Sequence, residues 1–203
     1  RAVLITGGHL RGTPDDLFLD DKGMHIFTSK RLTNLDIHGT GCVFSAAITA
    51  GLAQGVTVRE SIHNAKKYIG EAILGAIYPG NGASCVEPNA LIYKENEKYQ
   101  ILCELNNAVE IFKKERIGNL IPEVQTNIGL GLSNAKKHED VLAIPGRVIK
   151  NGEDIFTGAQ PQFGGSRHVA NIVLTVMQHD PDQRAVMNIK YTDSLLRICK
   201  KLK

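Results

Sequence analysis

Short apolar runs separated by turn-forming residues dominate the start of the chain. Val3–Ile5 is followed by Gly7–Gly8, a pattern that predicts a buried strand ending in a tight turn. The apolar runs 17–19 and 25–27 flank a polar segment that ends in Gly23, which predicts a β-hairpin. The first segment therefore predicts strands rather than helices.

Helical spacing of apolar residues follows. The apolar stretch 43–53 is closed by Gly55, which predicts a helix with a glycine at its carboxyl end. Thr57 and Glu60 predict a capping box at the start of a second helix. Apolar side chains then recur on one face of that helix, at Ile62, Ala65, Ile69, Ala72, Ile73 and Ala76.

The middle of the chain predicts a boundary between two domains. Residues 91–93 predict only a weak strand or a loop, whereas apolar residues at helical spacing predict a helix over 102–114. The exposed, charged end of this helix is typical of a linker. We therefore expect one domain over 1–103 and a second over 104–203.

The second half changes to strand-like alternation. Apolar or β-branched residues at every second position over 124–132 predict a strand. Asn151–Gly152 lies between two short apolar runs and predicts a hairpin. The segment 164–166 precedes a helical pattern over 169–177, and Pro181 follows it. Strands and helices in both halves indicate an α/β protein.

Composition excludes several classes of partner. The 203 residues allow one large domain or two of about a hundred residues. The net charge of +3 is small and its lysines and arginines are scattered, so we expect no nucleic-acid partner. No apolar run approaches the roughly 20 residues of a membrane span, so we expect no membrane association. The four cysteines show neither disulfide nor metal-ligand spacing, which favours reduced thiols, a cytoplasmic protein and no protein-built metal site.

Both ends of the chain look internal to a longer protein. The chain begins at Arg1 directly before a strand pattern, and residues 200–203 continue a helical pattern without a stop signal. We therefore expect a fragment, which can carry the motifs of an enzyme without all the residues that its activity needs.

The segment from Gly39 to Cys42 is the most chemically specific motif of the first half. Glycines before an apolar helix leave backbone N–H groups free at the positive end of the helix dipole, which favours an anion. Gly39, Thr40 and Gly41 therefore predict a phosphate-binding turn, and a Cys42 thiolate could take a proton from an attacking hydroxyl. A plain helix start with a small buried cysteine explains the same four residues equally well.

Three segments of the first half resemble hydroxymethylpyrimidine and hydroxymethylpyrimidine-phosphate kinases, which belong to the ribokinase-like superfamily. These segments are Ile5–Leu10, His38–Cys42 and Ser45–Ile48. Most ribokinase-like enzymes have aspartate where this chain has cysteine, which favours the pyrimidine branch. The resemblance implies the C-terminal part of such a kinase domain.

The same resemblance implies roles for the glycine-rich segment. Gly39, Thr40 and Gly41 would form the anion hole for the transferred phosphoryl group, and Cys42 would be the candidate base. ATP with Mg²⁺ would be the phosphoryl donor, in a reaction that depends mostly on positioning and charge stabilisation.

Four segments of the second half resemble the ThiN-type thiamine-phosphate synthase domain, which many archaea fuse behind this kinase. The segments are Ile121–Ile128, Ala143–Arg147, Phe163–His168 and Ala185–Ile189. The resemblance implies a smaller α/β domain over 104–203 that lacks its C-terminal end. Its reaction joins hydroxymethylpyrimidine diphosphate to thiazole phosphate and releases diphosphate.

The family's essential arginine and histidine fall on Arg147 and His168. Arg147 would clamp the diphosphate, because a guanidinium binds phosphate with two parallel N–H groups. His168 would orient the leaving group or transfer a proton. Gly165 and Ser166 would bind the thiazole phosphate at a second helix start, with Arg167 as a further contact.

Several alternatives remain open at this point. Arg147 could be a solvated charge at a strand edge, and His168 a helix residue without a ligand. The second half could be a thiamine-phosphate sensor, since ThiN-like domains also occur in repressors, or the first half could be a non-catalytic kinase remnant that serves as a scaffold. In each case the expected ligands are small molecules, and we expect a homodimer.

Overall fold

The computed structural model describes residues 1–34 and 36–201. Leu35 and residues 202–203 lie outside the described residues, so the helical pattern predicted at the end of the chain is tested only as far as Lys201. That residue belongs to a helix, as the pattern predicts.

The chain divides into two compact units, Arg1–Tyr93 and Lys94–Lys203. Each unit combines a β-sheet with helices, so the predicted α/β class is confirmed. The domain boundary predicted between residues 103 and 104 stays a prediction. Within the described part of the chain, no helix is both long and apolar enough to cross a membrane.

The first unit contains a three-stranded antiparallel sheet, a parallel pair of strands and two complete helices. Its elements in chain order are β1 (Val3–Ile5), β2 (Asp16–Asp20), β3 (Gly23–Phe27), β4 (Ile37–His38), α1 (Thr40–Ala53), α2 (Val58–Leu74) and β5 (Ser84–Cys85). The sheet has the order β1-β2-β3, and β4 pairs with β5. The predicted hairpin is confirmed by β2 and β3.

The core of the first unit joins this hairpin to both helices. Phe18 of β2 and Phe27 of β3 contact each other edge to face, with ring centroids 6.5 Å apart. They pack with Phe44 of α1 and with Ile62 and Ala65 of α2. Burial of three aromatic rings at this junction fixes the position of α1, whose first residues form the candidate phosphate site.

The first strand is less buried than its apolar sequence predicts. Val3 and Ile5 are 57% and 59% exposed, so the prediction of a buried strand is wrong for these two residues. Successive side chains of a strand point to opposite faces, and here only Leu4 packs against the core of the unit. The face that carries Val3 and Ile5 is open to solvent.

Local capping explains where the two helices of the first unit begin and end. α1 begins at Thr40, three residues before the predicted start, and is followed by Gly55 in the left-handed conformation with φ of 81°. The Thr57 hydroxyl accepts a hydrogen bond from the backbone N–H of Glu60 at 3.4 Å. The predicted helix start at Thr57 is therefore confirmed.

A third helix, α3 (Ala90–Lys114), is longer than the sequence pattern predicts. Residues 91–93, predicted as a weak strand or a loop, lie in its first turn, so this prediction is wrong. The stretch 90–101 contains no glycine or proline and is rich in lysine, glutamate and leucine or isoleucine, which favours a helix. The buried residues of α3 are Ile101, Leu105 and Val109.

The second unit is built around a four-stranded antiparallel sheet with the order β10-β7-β6-β11. Its elements after α3 are β6 (Ile128–Gly131), β7 (Val141–Ala143), β8 (Val148–Asn151), β9 (Asp154–Thr157), β10 (Gln162–Phe163), α4 (Arg167–His179), β11 (Ala185–Met187) and α5 (Asp193–Lys201). The apolar face of α4 packs on the sheet through Val169, Val173 and Met177.

Two strand predictions for the second unit have different outcomes. The predicted hairpin is confirmed by β8 and β9, although Asn151 is the last strand residue and the turn is formed by Gly152 and Glu153. The strand predicted over 124–132 is shorter and consists of β6 alone. Gln125 interrupts it, since its φ of 65° is incompatible with an extended strand.

Candidate functional site

The start of α1 forms the first candidate site. Gly39 caps the helix with φ of 90°, a left-handed conformation that favours glycine, and no side chain caps this end. The first helical hydrogen bond runs from the Val43 N–H to the Gly39 carbonyl at 3.0 Å. The N–H groups of Thr40, Gly41 and Cys42 precede it and are therefore oriented towards an incoming anion.

Two of the four predicted residues of this site line a cleft, and Gly39 and Cys42 are not among the residues that line it. Thr40 and Gly41 line an open cleft of about 1200 Å³ in the first unit. The Cys42 side chain is exposed, which disfavours the alternative of a buried structural cysteine. The roles predicted for these residues stay predictions.

The cleft is framed by polar contacts that fix the loop after β1. The buried Asp16 carboxylate accepts the Gly7 N–H at 2.9 Å and pairs with Lys66 of α2. The Arg31 guanidinium donates to three backbone carbonyl groups of the same loop, those of Gly8, Leu10 and Gly12. The part of the cleft wall that this loop forms is therefore held in place by contacts within the protein.

A second ion pair connects the β2–β3 hairpin to α2. Arg59 donates to both carboxylate oxygens of Asp20, at distances of 2.9 to 3.3 Å. These hydrogen bonds hold the pKa of the Asp20 carboxyl below its ordinary value. The guanidinium carbon also lies 5.9 Å from the centroid of the Phe18 ring.

A tight turn in the second unit carries Arg147. The N–H of Arg147 lies 3.5 Å from the Ile144 carbonyl, across Pro145 and Gly146, and Gly146 has φ of 79°. Proline followed by glycine is typical of a type II turn. Arg147 itself has φ of 80°, which is uncommon for a residue other than glycine and costs conformational energy.

The side chain of Arg147 is exposed and only partly engaged. Its guanidinium donates to the carbonyl group of Val124. Guanidinium has five N–H groups, and among residues 1–34 and 36–201 no other acceptor for this side chain is found. The remaining N–H groups are therefore available to an anionic ligand, as the proposed clamp requires.

The start of α4 is the second helix terminus with exposed donors. The Ser166 hydroxyl caps the helix by accepting the Val169 N–H at 3.4 Å. Arg167 and His168 occupy the first turn, and both side chains are exposed. The helix start predicted from the Gly164–Ser166 segment is thus confirmed, whereas the ligand roles of Arg167 and His168 stay predictions.

The structure brings the Arg147 turn and the start of α4 together. β10 pairs with β7, so that Gln162 lies opposite Ala143, and the Gly164 N–H donates to the Val141 carbonyl at 2.9 Å. A Cβ atom on Gly165 would lie 2.6 Å from the Ala143 oxygen and 3.2 Å from Cδ of Pro145. Glycine is needed at position 165 because the backbone before α4 and the Arg147 turn approach each other so closely.

Three polar residues that the sequence patterns did not mark as functional support the same turn. Thr126 and Asn127 are buried, and Asn188 follows the end of β11. Their side chains bond to one another's backbone and to Ile144, the first residue of the Arg147 turn. The sequence carries no signal for them, because Thr126 fits the alternating pattern over 124–132 and Asn127 occupies one of its expected polar positions.

The two parts of the chain match two different families of known proteins. Residues 1–87 match the family model described as phosphomethylpyrimidine kinase, and residues 104–203 match the model described as thiamine-phosphate synthase ThiN. The bifunctional thiamine biosynthesis protein ThiDN of Methanocaldococcus jannaschii is 34% identical over 194 residues, which are 93% of this chain and 44% of that protein.

Relatives with a single activity match one part each. Thiamine-phosphate synthase ThiN of Methanothermobacter thermautotrophicus is 38% identical over 89 residues, 44% of this chain and 47% of that protein. The hydroxymethylpyrimidine/phosphomethylpyrimidine kinase of Streptomyces coelicolor is 39% identical over 87 residues, 43% of this chain and 32% of that protein. The chain thus spans less than half the length of these relatives.

Two solved structures are also similar. The C-terminal domain of a phosphomethylpyrimidine kinase is 34% identical, with a TM-score of 0.47, over 52% of this chain and 59% of that chain. Pyridoxal kinase from Staphylococcus aureus in complex with AMP-PCP is 30% identical, with a TM-score of 0.42, over 44% of this chain and 33% of that chain.

The close approach at Gly165 gives a direct test of the site's architecture. Gly165→Ala should destabilise the protein by about 1–3 kcal/mol, because the added methyl group must push the start of α4 away from the Arg147 turn. Gly158→Ala is the matched control, since a Cβ there meets open space. Thermal unfolding of both variants checks this, and equal midpoints would contradict the close approach.

Proposed function

We propose a function in thiamine biosynthesis for this chain, whose residues 1–87 belong to the phosphomethylpyrimidine kinase family and whose residues 104–203 belong to the ThiN family. The whole protein would phosphorylate hydroxymethylpyrimidine and its monophosphate with ATP. It would then couple the resulting diphosphate to thiazole phosphate, giving thiamine phosphate and diphosphate. The observation that carries the coupling step is the contact of the Arg147 turn with the start of α4.

In the coupling step, the bond between the pyrimidine methylene carbon and the diphosphate oxygen breaks. The diphosphate leaves with the electron pair, and the thiazole nitrogen forms the new bond to that carbon. Negative charge develops on the leaving group, so donors placed around it lower the barrier. The free N–H groups of Arg147 would bind the diphosphate, and His168 would orient it or transfer a proton.

The second phosphate of this reaction needs its own binding site. The thiazole phosphate would bind at the start of α4 beside Gly165 and Ser166, where the N–H groups of the first turn lie at the positive end of the helix dipole. The Gly165 N–H itself donates to the Gln162 carbonyl at 3.0 Å, so Gly165 would contribute close backbone approach rather than a donor. Arg167, exposed in the first turn, would add a charged donor. Because Gly165 packs on the Arg147 turn, the two phosphate-binding elements are adjacent, as a coupling reaction requires.

In the kinase step, the hydroxyl oxygen of the pyrimidine substrate forms a bond to the terminal phosphorus of ATP, and the bond from that phosphorus to the bridging oxygen breaks so that ADP leaves with the electron pair. The N–H groups of Gly39, Thr40 and Gly41 would stabilise the charge on the transferred phosphoryl group. Cys42 would accept the hydroxyl proton as a thiolate. ATP use is supported by membership in the kinase family.

Mg²⁺ would accompany the phosphates in both reactions by neutralising the charge on their oxygens. The described part of the chain contains no group of three or more His, Cys, Asp or Glu side chains that could hold a metal ion. In general, Mg²⁺ keeps several waters and binds to substrate phosphates with one or two carboxylates rather than to an all-protein cage.

The coupling reaction is tested with the whole protein. Arg147→Ala and His168→Ala should each lower thiamine phosphate formation by about a hundredfold or more, because each removes a group from the leaving diphosphate, and should spare kinase activity. Arg197→Ala and His179→Ala are matched controls in exposed helix positions. Unchanged coupling in both site variants contradicts the assignment.

Tight thiamine phosphate binding without turnover in the unmodified protein would indicate a sensor.

Kinase competence of the first unit is tested by ligand-linked stability. ATP with Mg²⁺ should raise the unfolding midpoint, since a ligand at a hundred times its Kd stabilises the folded state by about 2.7 kcal/mol. Gly39→Val should abolish the shift, because valine does not tolerate φ near 90°. Gly80→Ala, which meets open space, should retain it. No shift of the unmodified protein at millimolar ATP would support a scaffold.

A further inference from the structure

We propose that Asn127 and Asn188 are positioning residues that fix the direction of the Arg147 guanidinium. The inference rests on the proposed function, in which Arg147 binds the diphosphate. Neither asparagine needs to touch a substrate. Both act through the two backbone segments on which the conformation of Arg147 depends.

Asn188 holds the segment before β6 through three consecutive residues. Its side-chain amide donates to the Gln125 carbonyl at 2.9 Å, and its side-chain oxygen accepts the Asn127 N–H at 2.8 Å. Its backbone carbonyl accepts the Thr126 hydroxyl at 2.9 Å. Gln125, which has a left-handed φ of 65°, is thereby held in a conformation that it would otherwise rarely adopt.

Asn127 connects that segment to the turn that carries Arg147. The residue is only 8% exposed; its side-chain amide donates to the Ile144 carbonyl at 3.0 Å, while its oxygen accepts the N–H groups of Ile144 and Ile128 at 3.3 and 2.8 Å. A side-chain amide supplies both a donor and an acceptor, which a carboxylate or an aliphatic side chain cannot do. The first residue of the turn is thus fixed by one buried side chain.

Arg147 lies between two positions that these contacts fix. Ile144, bonded to Asn127, precedes it in the turn, and Val148, which follows it, pairs with Thr126 through backbone bonds of 2.7 and 3.2 Å. The acceptor of the guanidinium, the Val124 carbonyl, belongs to the residue just before Gln125. The backbone and the side chain of Arg147 therefore both depend on the hydrogen bonds that Asn127, Asn188 and Thr126 form.

The left-handed conformation of Arg147 is the feature that this network maintains. A residue other than glycine returns to negative φ when its surroundings no longer enforce a positive value, and here that change would reorient the guanidinium. A displacement of about 1 Å at a reacting centre can cost a hundredfold in rate. Asn127 and Asn188 would consequently affect diphosphate binding only as long as Arg147 is present.

Diphosphate affinity provides the test, with inorganic diphosphate as the probe and calorimetry on the full chain. The variants are Asn188→Ala, Arg147→Ala, the double variant, and Asn107→Ala as a matched control on the exposed side of α3. We expect Asn188→Ala to weaken binding about tenfold and Arg147→Ala by more. The double variant should bind within about twofold of Arg147→Ala, and Asn107→Ala should bind like the unmodified chain.

Each other result has a distinct meaning. If Asn188→Ala weakens binding by the same factor with and without Arg147, it acts independently of Arg147 and the proposal is overturned. If Arg147→Ala weakens binding but Asn188→Ala does not, positioning is wrong while the proposed clamp stands. If Arg147→Ala has no effect, the clamp itself fails and the positioning proposal falls with it.

A second variant provides an independent test in case Asn188→Ala does not fold. Thr126→Val removes only the hydroxyl that donates to the Asn188 carbonyl and keeps the shape of the side chain. We expect it to weaken diphosphate binding several-fold in the presence of Arg147 and not in its absence. If Asn188→Ala does not fold, an unchanged affinity in a folded Thr126→Val protein overturns the proposal.

Discussion

A buried side-chain amide is the constraint on which the candidate synthase site depends. Asn127 satisfies both backbone polar groups of Ile144 and so fixes where the chain leaves β7 and enters the Arg147 turn. Leaving these groups without partners inside the protein would cost about 1–3 kcal/mol each, so the turn has little freedom to move. Arg147 follows this junction in the chain and precedes Val148, whose backbone pairs with Thr126.

The two proposed phosphate sites share one arrangement, which is held in place by different contacts in each unit. In each, a glycine-rich segment opens a helix and leaves backbone donors at its positive end. In the first unit, Gly39 supplies the left-handed cap and aromatic packing holds α1 in place. In the second unit, Ser166 caps the helix and Gly165 allows contact with the Arg147 turn. The second site thus gains a cationic side chain that is placed by the fold.

Local sequence signals predicted the elements whose geometry is set locally. The β2–β3 and β8–β9 hairpins, the cap at Thr57 and the helix start after the 164–166 segment depend on neighbouring residues, and all four were predictable. The N-terminal half of α3 was not predicted, because its mixture of tyrosine, lysine and leucine does not place apolar residues on one clear face of a helix. The exposure of Val3 could not be predicted from the pattern of apolar residues either. A run of apolar residues does not reveal which face of a strand is covered by the rest of the protein.

Long-range contacts were likewise invisible in the chain pattern. Asn127 and Asn188 lie 61 residues apart, and the residues next to each of them in the sequence give no indication that the two form a hydrogen bond. The close approach of Gly165 to Pro145 depends on the pairing of β10 with β7, which no local motif encodes. Sequence similarity could mark Arg147 and His168, but only the fold explains how their segments meet.

The most direct measurement is a titration of isotope-labelled protein with thiamine phosphate, followed by the NMR signals of backbone and arginine N–H groups. If the Arg147 turn and the start of α4 form adjacent phosphate-binding sites, thiamine phosphate will cause its largest changes at Gly165, Ser166 and Arg167, and diphosphate added next will change the signals of the Arg147 side chain. Changes confined to α5 or to the β8–β9 hairpin, with these four residues unaffected, would contradict the account.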